Sequence, residues 1–204
     1  MTNQDEKKQN IENYNQSAAL HSKKFDEIGA RIEDIERTFA YITKANPKTV
    51  EIGCGNGRDV KEIIKHTNDY LGIDLSEGML KLAKENVPEA NFQLIDLESF
   101  EFPLNTDTIF SFASLLHTDK ETLTKVLQKI DTSLNTSGVI FISLKYGEYH
   151  KETLDREGTG PRTYYFYTPE EIQQIAPTTW KTVYQDIQDF RGQKWFSIIL
   201  QKSI

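Results

Sequence analysis

The sequence predicts an α/β fold with a mostly parallel sheet, helices on both faces of the sheet and a C-terminal antiparallel hairpin. After Pro47, short apolar segments alternate with stretches of helical periodicity. That alternation is typical of parallel strands joined by right-handed crossovers. Near the C-terminus, two strand-like segments at 180–189 and 194–200 flank the short segment 190–193. This arrangement indicates a β-hairpin, so the sheet should end in an antiparallel pair.

The segment before Pro47 has a different pattern. Residues 1–15 are polar, and we interpret them as a frayed start. From 17 to 43 the apolar residues recur three to five positions apart, which predicts one face of a helix with a break near Gly29. We therefore expect an N-terminal helical segment, a candidate lid, over residues 1–44 and one α/β domain over residues 45–204.

The remaining elements follow from the same patterns. The parallel strands are predicted at 49–52, 70–73, 92–95, 108–112 and 139–144, with connecting helices at 58–66, 76–86 and 119–134. Ser76 and Thr168 are candidate N-caps, and Pro169 suits the first position of a helix. The aromatic run 164–167 fits a strand with two side chains facing in and two facing out.

Composition limits the classes of partner. The 204-residue chain has a formal net charge of −7 and one cysteine, Cys54. Because nucleic-acid affinity depends on Lys and Arg, the acidic balance argues against a nucleic-acid partner. We see no disulfide pair, no signal peptide and no apolar stretch near the roughly 18 residues of a membrane span. We therefore expect a cytoplasmic protein without a membrane partner. We further expect a monomer or a homodimer. The scattered histidines predict no metal site.

The most informative segment is Glu51–Asp59, where a strand enters Gly53, Gly55 and Gly57 and a helix follows. We expect this loop to bring backbone close to a ligand, and a side chain at Gly53 or Gly55 to fill the ligand's space. Asp74 lies 74 − 53 = 21 positions after the first glycine, at the end of the second strand. In such folds an acid there meets a ribose. The third glycine comes one residue too early for the dinucleotide pattern G-x-G-x-x-G.

This loop resembles motif I of the class I S-adenosylmethionine (SAM)-dependent methyltransferases. Segments 72–80, 94–97 and 107–117 resemble three further motifs of that family, so the resemblance covers roughly residues 45–145. Segments 145–148 and 191–196 resemble a poorly characterised subgroup of small bacterial and archaeal members. The resemblance implies a Rossmann-like sheet of seven strands, SAM as the methyl donor and a small-molecule acceptor.

The resemblance also implies roles for individual residues. Glu51 would lie near the methionine amino group or orient the loop, Asp74 would bind the ribose hydroxyls, and Asp96 would accept from the adenine amine. The glycines would allow close backbone approach. The remaining implied cofactor contacts are Leu75 and Met79 near the adenine, the backbone of Leu97, and Phe112 and Ala113 under the methionine part.

Methyl transfer is an in-line displacement with a neutral leaving group, so a base is needed only if the acceptor must lose a proton. His117 is the candidate base, because it follows the fourth strand on the ligand-binding edge and titrates near neutrality. The alternative is a histidine that caps the next helix or packs on the cofactor. Candidate acceptor contacts are Tyr14, Lys145, Tyr146 and Tyr165. The charged, glycine-rich stretch 156–162 is a second candidate lid.

Three other functions remain open at this stage. A nucleotide-linked oxidoreductase fits the fold but not the glycine spacing. A non-catalytic protein that binds SAM or a partner would have the same motifs. A methyltransferase acting on protein or RNA is also compatible with them, although the chain lacks the Asn-Pro-Pro-Tyr-like segment of amino-methylating nucleic-acid enzymes.

Overall fold

A seven-stranded sheet forms the centre of the protein in the computed structural model, which describes residues 2–155 and 159–203. The strand order is β3-β2-β1-β4-β5-β9-β8. The first five strands run parallel, and β9 pairs antiparallel with both β5 and β8. The strands are β1 (Thr49–Ile52), β2 (Tyr70–Asp74), β3 (Asn91–Leu94), β4 (Thr106–Phe112), β5 (Leu134–Lys145), β8 (Trp180–Phe190) and β9 (Gln193–Lys202). The predicted fold class, including the C-terminal hairpin, is confirmed.

The helices are α1 (Asn3–Gln16), α2 (Ala18–Ile28), α3 (Ile32–Phe39), α4 (Val60–Ile63), α5 (Glu77–Asn86), α6 (Lys120–Ser133) and α7 (Pro169–Ile175). Both predicted caps are confirmed, since Ser76 Oγ accepts from the Met79 N–H and Thr168 Oγ1 accepts from the Glu171 N–H. The helix expected at 58–66 is shorter than predicted. Its flanks form tighter turns, in which most of the hydrogen bonds join residues three apart.

Apolar side chains fill both faces of the sheet. Alternate residues of β4 point to opposite sides, so Ile109 belongs to the cluster beneath α6 and α7, whereas Phe110 and Phe112 belong to the cluster beneath α3 and α4. Two separate clusters account for the helices on both faces. None of the helices in the described part of the chain is long and apolar enough to span a membrane.

The N-terminal segment differs from its prediction. Residues 3–16 form a regular helix, α1, so the expectation of a frayed start is wrong. A capping box between Thr2 and Asp5 begins α1, and its contacts with the rest of the protein are largely polar, with Glu6 and Asn10 as its buried residues. The predicted break near Gly29 is confirmed, because α2 ends at Ile28 and α3 begins at Ile32.

A second, two-stranded sheet was not predicted. It joins β6 (His150–Asp155) to β7 (Pro161–Phe166) in antiparallel register. The aromatic residues at 164–167 alternate in direction, but all four are buried, so the expectation of two outward-facing side chains is wrong. Both faces of β7 are covered by other parts of the protein. On one face the Tyr165 hydroxyl donates to Glu6 of α1, and on the other face Tyr164 packs beside His117. Of the second candidate lid, residues 156–158 lie outside the described residues.

Candidate active site

A cavity of about 1060 Å³ lies at the carboxyl ends of β1, β2, β4 and β5, and α1 and β7 contribute to its lining. Open parallel sheets place ligand sites at this edge. The predicted residues that line the cavity are Tyr14, Glu51, Gly53, Gly55, Asp74, Leu75, Met79, Asp96, Leu97, Phe112, Ala113, His117, Lys145 and Tyr165. The structure does not bring Gly57 or Tyr146 into this lining. The Gly57 backbone packs against Ala83 of α5, and Tyr146 forms a backbone bridge with Tyr167.

The glycine loop turns sharply between β1 and α4. Gly53, Gly55 and Gly57 have φ values of 69°, 56° and 80°, a region that residues with a side chain rarely adopt. A Cβ atom on Gly53 would overlap the side chain of Ser114, so glycine is required there by packing within the protein. A side chain at Gly53 would thus meet Ser114 before it met a ligand. At Gly55 the nearest atoms lie 3.4 Å or more from such a Cβ, and the position borders the cavity.

Asp74 ends β2 and is fixed by backbone donors. Its Oδ2 accepts from the Gly55 N–H at 2.9 Å, and its Oδ1 accepts from the Ser76 N–H at 2.9 Å. Burial raises the pKa of Asp74, while these two bonds act in the opposite direction. The carboxylate thus has a fixed orientation and keeps lone pairs for hydroxyl donors of a ligand in the cavity.

Glu51 is a buried carboxyl group at the floor of the cavity. It is 2% exposed, and its Oε2 accepts from the Tyr70 hydroxyl at 2.6 Å. Burial, followed by the charge of Asp59, raises the pKa of Glu51 to about 8. No cation pairs with Glu51 among the described residues, whereas Asp59 accepts from Arg31 and Arg58. A positively charged ligand group beside Glu51 would therefore favour its ionised form.

Asp96 lies at the other side of the cavity and is bound by α1. The Lys7 ammonium lies 2.5 Å from Asp96 Oδ2 and 2.6 Å from Glu98 Oε1, and Asp96 Oδ1 accepts from the Glu98 N–H. Sequence reasoning missed Lys7, because it belongs to the polar segment that we interpreted as frayed. Its contact means that α1 closes over the same carboxylate that the family resemblance assigns to the adenine.

His117 and Tyr14 form a hydrogen-bonded pair in the lining of the cavity. The Thr163 carbonyl oxygen lies 2.6 Å from His117 Nδ1, and a carbonyl only accepts, so Nδ1 carries the proton. Nε2 is then the acceptor for the Tyr14 hydroxyl at 3.0 Å. Burial lowers the pKa of His117 to about 4, so the imidazole is neutral at physiological pH. The arrangement can accept a proton from Tyr14 at Nε2 without changing the position of either ring.

Tyr14 lies on α1, and the position of α1 depends on Asn10. The Asn10 side chain accepts from the Thr163 N–H at 2.9 Å and donates to the Thr163 carbonyl at 3.4 Å. Thr163 therefore anchors both α1 and the His117 ring. From the sequence, Tyr14 was predicted to contact the methyl acceptor and His117 to act as a base. The sequence gave no signal that these two residues, 103 positions apart, would form a hydrogen bond with each other.

The described residues contain no cluster of three or more His, Cys, Asp or Glu side chains that could hold a metal ion. The polar groups of the cavity instead divide between two regions. Carboxylates lie at the ends of β1 and β2, and the Tyr14–His117 pair lies where α1 packs on β7. Such a division suits an organic ligand that extends from one region to the other.

Comparisons with known proteins agree with this architecture. Residues 50–138 match a family described as the methyltransferase domain. Phosphoethanolamine N-methyltransferase from Plasmodium falciparum is 30% identical over 195 residues, which cover 89% of this chain and 68% of that protein. An uncharacterised methyltransferase from Geobacillus is 32% identical over 114 residues, which cover 54% of this chain. The matched region spans about half the length of that Geobacillus relative (52%).

A solved structure shows the same fold across almost the whole chain. The SAM-dependent methyltransferase from Clostridium acetobutylicum superposes with a TM-score of 0.71 at 13% sequence identity, covering 94% of this chain and 99% of that one. The sequence motifs, the seven-stranded sheet and these similarities have one explanation: the chain belongs to the family of SAM-dependent methyltransferases with the class I fold.

Proposed function

We propose that this protein transfers the methyl group of SAM to a small-molecule acceptor, with the Tyr14–His117 pair as the proton acceptor of the reaction. The observation that carries the proposal is the neutral His117 side chain, whose unprotonated Nε2 accepts from the Tyr14 hydroxyl at 3.0 Å in the lining of the cavity. A cavity of about 1060 Å³ has room for a nucleoside-sized cofactor together with a small acceptor.

The residues at the ends of β1, β2 and β3 fit the methyl donor. SAM has a ribose, an adenine and a cationic amino-acid part, and the cavity offers acids for each. Asp74 is proposed to accept from the ribose hydroxyls, Asp96 from the adenine amine, and Glu51 from the ammonium group. The buried Glu51 carboxyl supports this fit most strongly, since it lacks a cationic partner among the described residues. The further proposed cofactor contacts are Gly53, Gly55, Leu75, Met79, Leu97, Phe112 and Ala113.

Bound SAM supplies an electrophilic methyl group whose leaving group is a neutral thioether. The protein must then align the acceptor and take up its proton. We propose that Tyr14 accepts the acceptor proton at its oxygen as its own proton moves to His117 Nε2. Thr163 holds the opposite nitrogen through its carbonyl oxygen, which fixes the tautomer that can accept. In this proposal residues 1–44 act as a lid, because α1 carries Tyr14 and helps to exclude water from the cavity.

The test is turnover of SAM with a panel of small amines, phenols, thiols and carboxylates, measured as release of S-adenosylhomocysteine (SAH). Phosphoethanolamine belongs in the panel because the Plasmodium falciparum relative bears its name. With an accepted substrate, Tyr14→Phe should lower kcat by about 10²–10⁴, the usual contribution of general acid–base catalysis. The affinity for SAH should change less than about twofold, since Phe keeps the ring and removes only the hydroxyl bound to His117.

Tyr184→Phe is the matched control, because Tyr184 lies on β8 beside Arg37, away from the cavity. It should leave both kcat and SAH affinity unchanged. Wild-type turnover by Tyr14→Phe would exclude the pair as the proton acceptor, and a folded protein that does not bind SAH would overturn the proposed function as a whole.

A further inference from the structure

Two buried cations lie beside the Tyr14–His117 pair, and the methyl-transfer chemistry does not require them. Lys145 at the end of β5 is 2% exposed, and Arg162 on β7 is 7% exposed. Both side chains line the cavity. We infer that Lys145 and Arg162 form a subsite for an anionic group of the methyl acceptor, a phosphate or a carboxylate. This inference rests on the proposed function, because it places the anion on the acceptor rather than on SAM.

The burial of Arg162 is the first argument. Its Nη2 donates to Thr159 Oγ1 at 3.1 Å, but its buried Nε has no hydrogen-bond partner in the described part of the chain. Arg162 also enters none of the ion pairs found there. A charged group withdrawn from water is costly unless it is paired, so a donor of this kind indicates a missing acceptor. The guanidinium fork suits the two oxygens of a carboxylate or phosphate.

The position of the two cations is the second argument. Both cations contact the Tyr164 ring, with Lys145 Nζ 4.0 Å and Arg162 Cζ 5.6 Å from its centroid. Arg162 Cζ is also 5.0 Å from the centroid of the Tyr14 ring. An anionic group bound by Lys145 and Arg162 would therefore place the rest of a small methyl acceptor next to the Tyr14 hydroxyl. The Tyr14 hydroxyl is the group proposed to take the proton of the methyl acceptor.

Electrostatics at His117 give independent support. After burial, the positive charges of Arg162 and Lys145 contribute to the lowered pKa of His117, so both charges act at the acceptor side of the cavity. The carboxylates proposed to bind SAM, Glu51 and Asp74, come instead from the ends of β1 and β2. These two carboxylates and the two buried cations thus lie in different parts of the cavity. An acceptor with a nucleophilic amine or hydroxyl at one end and an anionic group at the other matches this distribution.

The experiment is calorimetric titration of the SAH-loaded protein with three small amines. Phosphoethanolamine offers a phosphate, β-alanine offers a carboxylate, and ethanolamine offers no anion. At least one of the two anionic compounds should bind tenfold or more tightly than ethanolamine, and which one binds identifies the anion. Its affinity should fall at least tenfold in Arg162→Met and in Lys145→Met, with SAH affinity unchanged. Lys81→Met, at an exposed position of α5, should bind like the wild type.

Two controls keep the outcome decisive. Arg162→Lys retains the positive charge and should keep part of the affinity, so a folding defect of Arg162→Met would be recognised by thermal unfolding of both variants. The same titrations are repeated with inorganic phosphate and without SAH, so the subsite is tested even if SAH does not bind. A failure of SAH to bind would count against the proposed function and not against the subsite. The inference is overturned if no anionic compound binds more tightly than ethanolamine, or if the folded Arg162→Met and Lys145→Met variants bind it with wild-type affinity.

Discussion

The environment of the His117 ring fixes which of its two nitrogens can accept a proton. From sequence alone, its position after β4 and its ordinary pKa near 6.5 predict a rate that falls below about pH 6. The structure changes that expectation, because burial lowers the pKa of His117 to about 4. The loss of rate from His117 protonation is therefore expected nearer pH 4. The Thr163 carbonyl that selects the tautomer lies 46 positions away, so no local sequence signal could have predicted it.

Glu51 provides a prediction that does not depend on the acceptor. Its pKa of about 8 means that Glu51 is largely protonated at pH 7 in the cofactor-free protein. If the ammonium group of SAH binds beside it, the ionised form is favoured and a proton is released. Calorimetry of SAH binding at pH 7 in buffers of different ionisation enthalpy should show release of up to one proton. The release should vanish above about pH 9, where Glu51 is already ionised.

Glu51→Gln is the control for this measurement, since it keeps the acceptor for the Tyr70 hydroxyl and removes the titrating proton. Equal proton release by Glu51→Gln and the wild type would show that another group titrates. The same raised pKa has a consequence for folding. Because the folded state holds a proton on Glu51 that the unfolded state loses above about pH 4.5, Glu51 lowers the free energy of unfolding as the pH rises from about 4.5 to 8.

At the scale of elements, the glycine loop was predicted more accurately than α1. The loop follows from local rules, because Gly-x-Gly-x-Gly after a strand leaves few backbone conformations. The reason for Gly53, however, depends on Ser114, which the fold brings from the end of β4. α1 was missed because its polar residues have no apolar periodicity and its contacts with β7 are hydrogen bonds rather than a hydrophobic stripe. Its contact with His117 could not be predicted from periodicity.

Gly53→Ala tests the packing explanation of the loop. The added methyl group would overlap Ser114, which should cost about 1–3 kcal/mol of stability as overpacking. The left-handed backbone at φ 69° should cost about 1 kcal/mol more. Thermal or denaturant unfolding measures both. Gly192→Ala, at φ 75° with no atom within 4 Å of the added methyl, should lose only the backbone contribution. The account of Gly53 fails if Ser114→Gly restores none of the stability lost by Gly53→Ala.

Asn10→Ala tests whether α1 is held by its bonds to Thr163. Removal of these buried hydrogen bonds should make the opening of α1 about 1–3 kcal/mol easier, which corresponds to roughly 5- to 150-fold faster amide exchange over residues 3–16. The turnover number should fall as well, because Tyr14 moves with α1. Gln16→Ala, at an exposed position of α1 outside the cavity lining, should leave exchange and turnover unchanged. Unchanged exchange in Asn10→Ala would show that other contacts hold the helix.

At the scale of the whole molecule, the sheet could be predicted because alternating strands and helices permit few topologies. The strand order β3-β2-β1-β4-β5-β9-β8 brings the ends of β1, β2 and β4 together, and their motif residues therefore meet in one cavity. A strand was predicted at 164–167, but its partner β6 escaped prediction because His150–Asp155 is polar and has no apolar alternation. Without that sheet, Arg162 and Thr163 had no predicted place beside His117.

The most direct test of the central claim is calorimetry of SAH binding to the wild type, Asp74→Ala and Asp69→Ala. Asp74 has its carboxylate fixed at the cavity, whereas Asp69 is exposed just before β2 begins. Loss of charge-assisted hydrogen bonds to the ribose should cost about 1.5–3 kcal/mol, so Asp74→Ala should bind SAH roughly 10- to 150-fold more weakly. Asp69→Ala should bind like the wild type. Undiminished affinity in a folded Asp74→Ala variant would contradict the placement of SAM in this cavity.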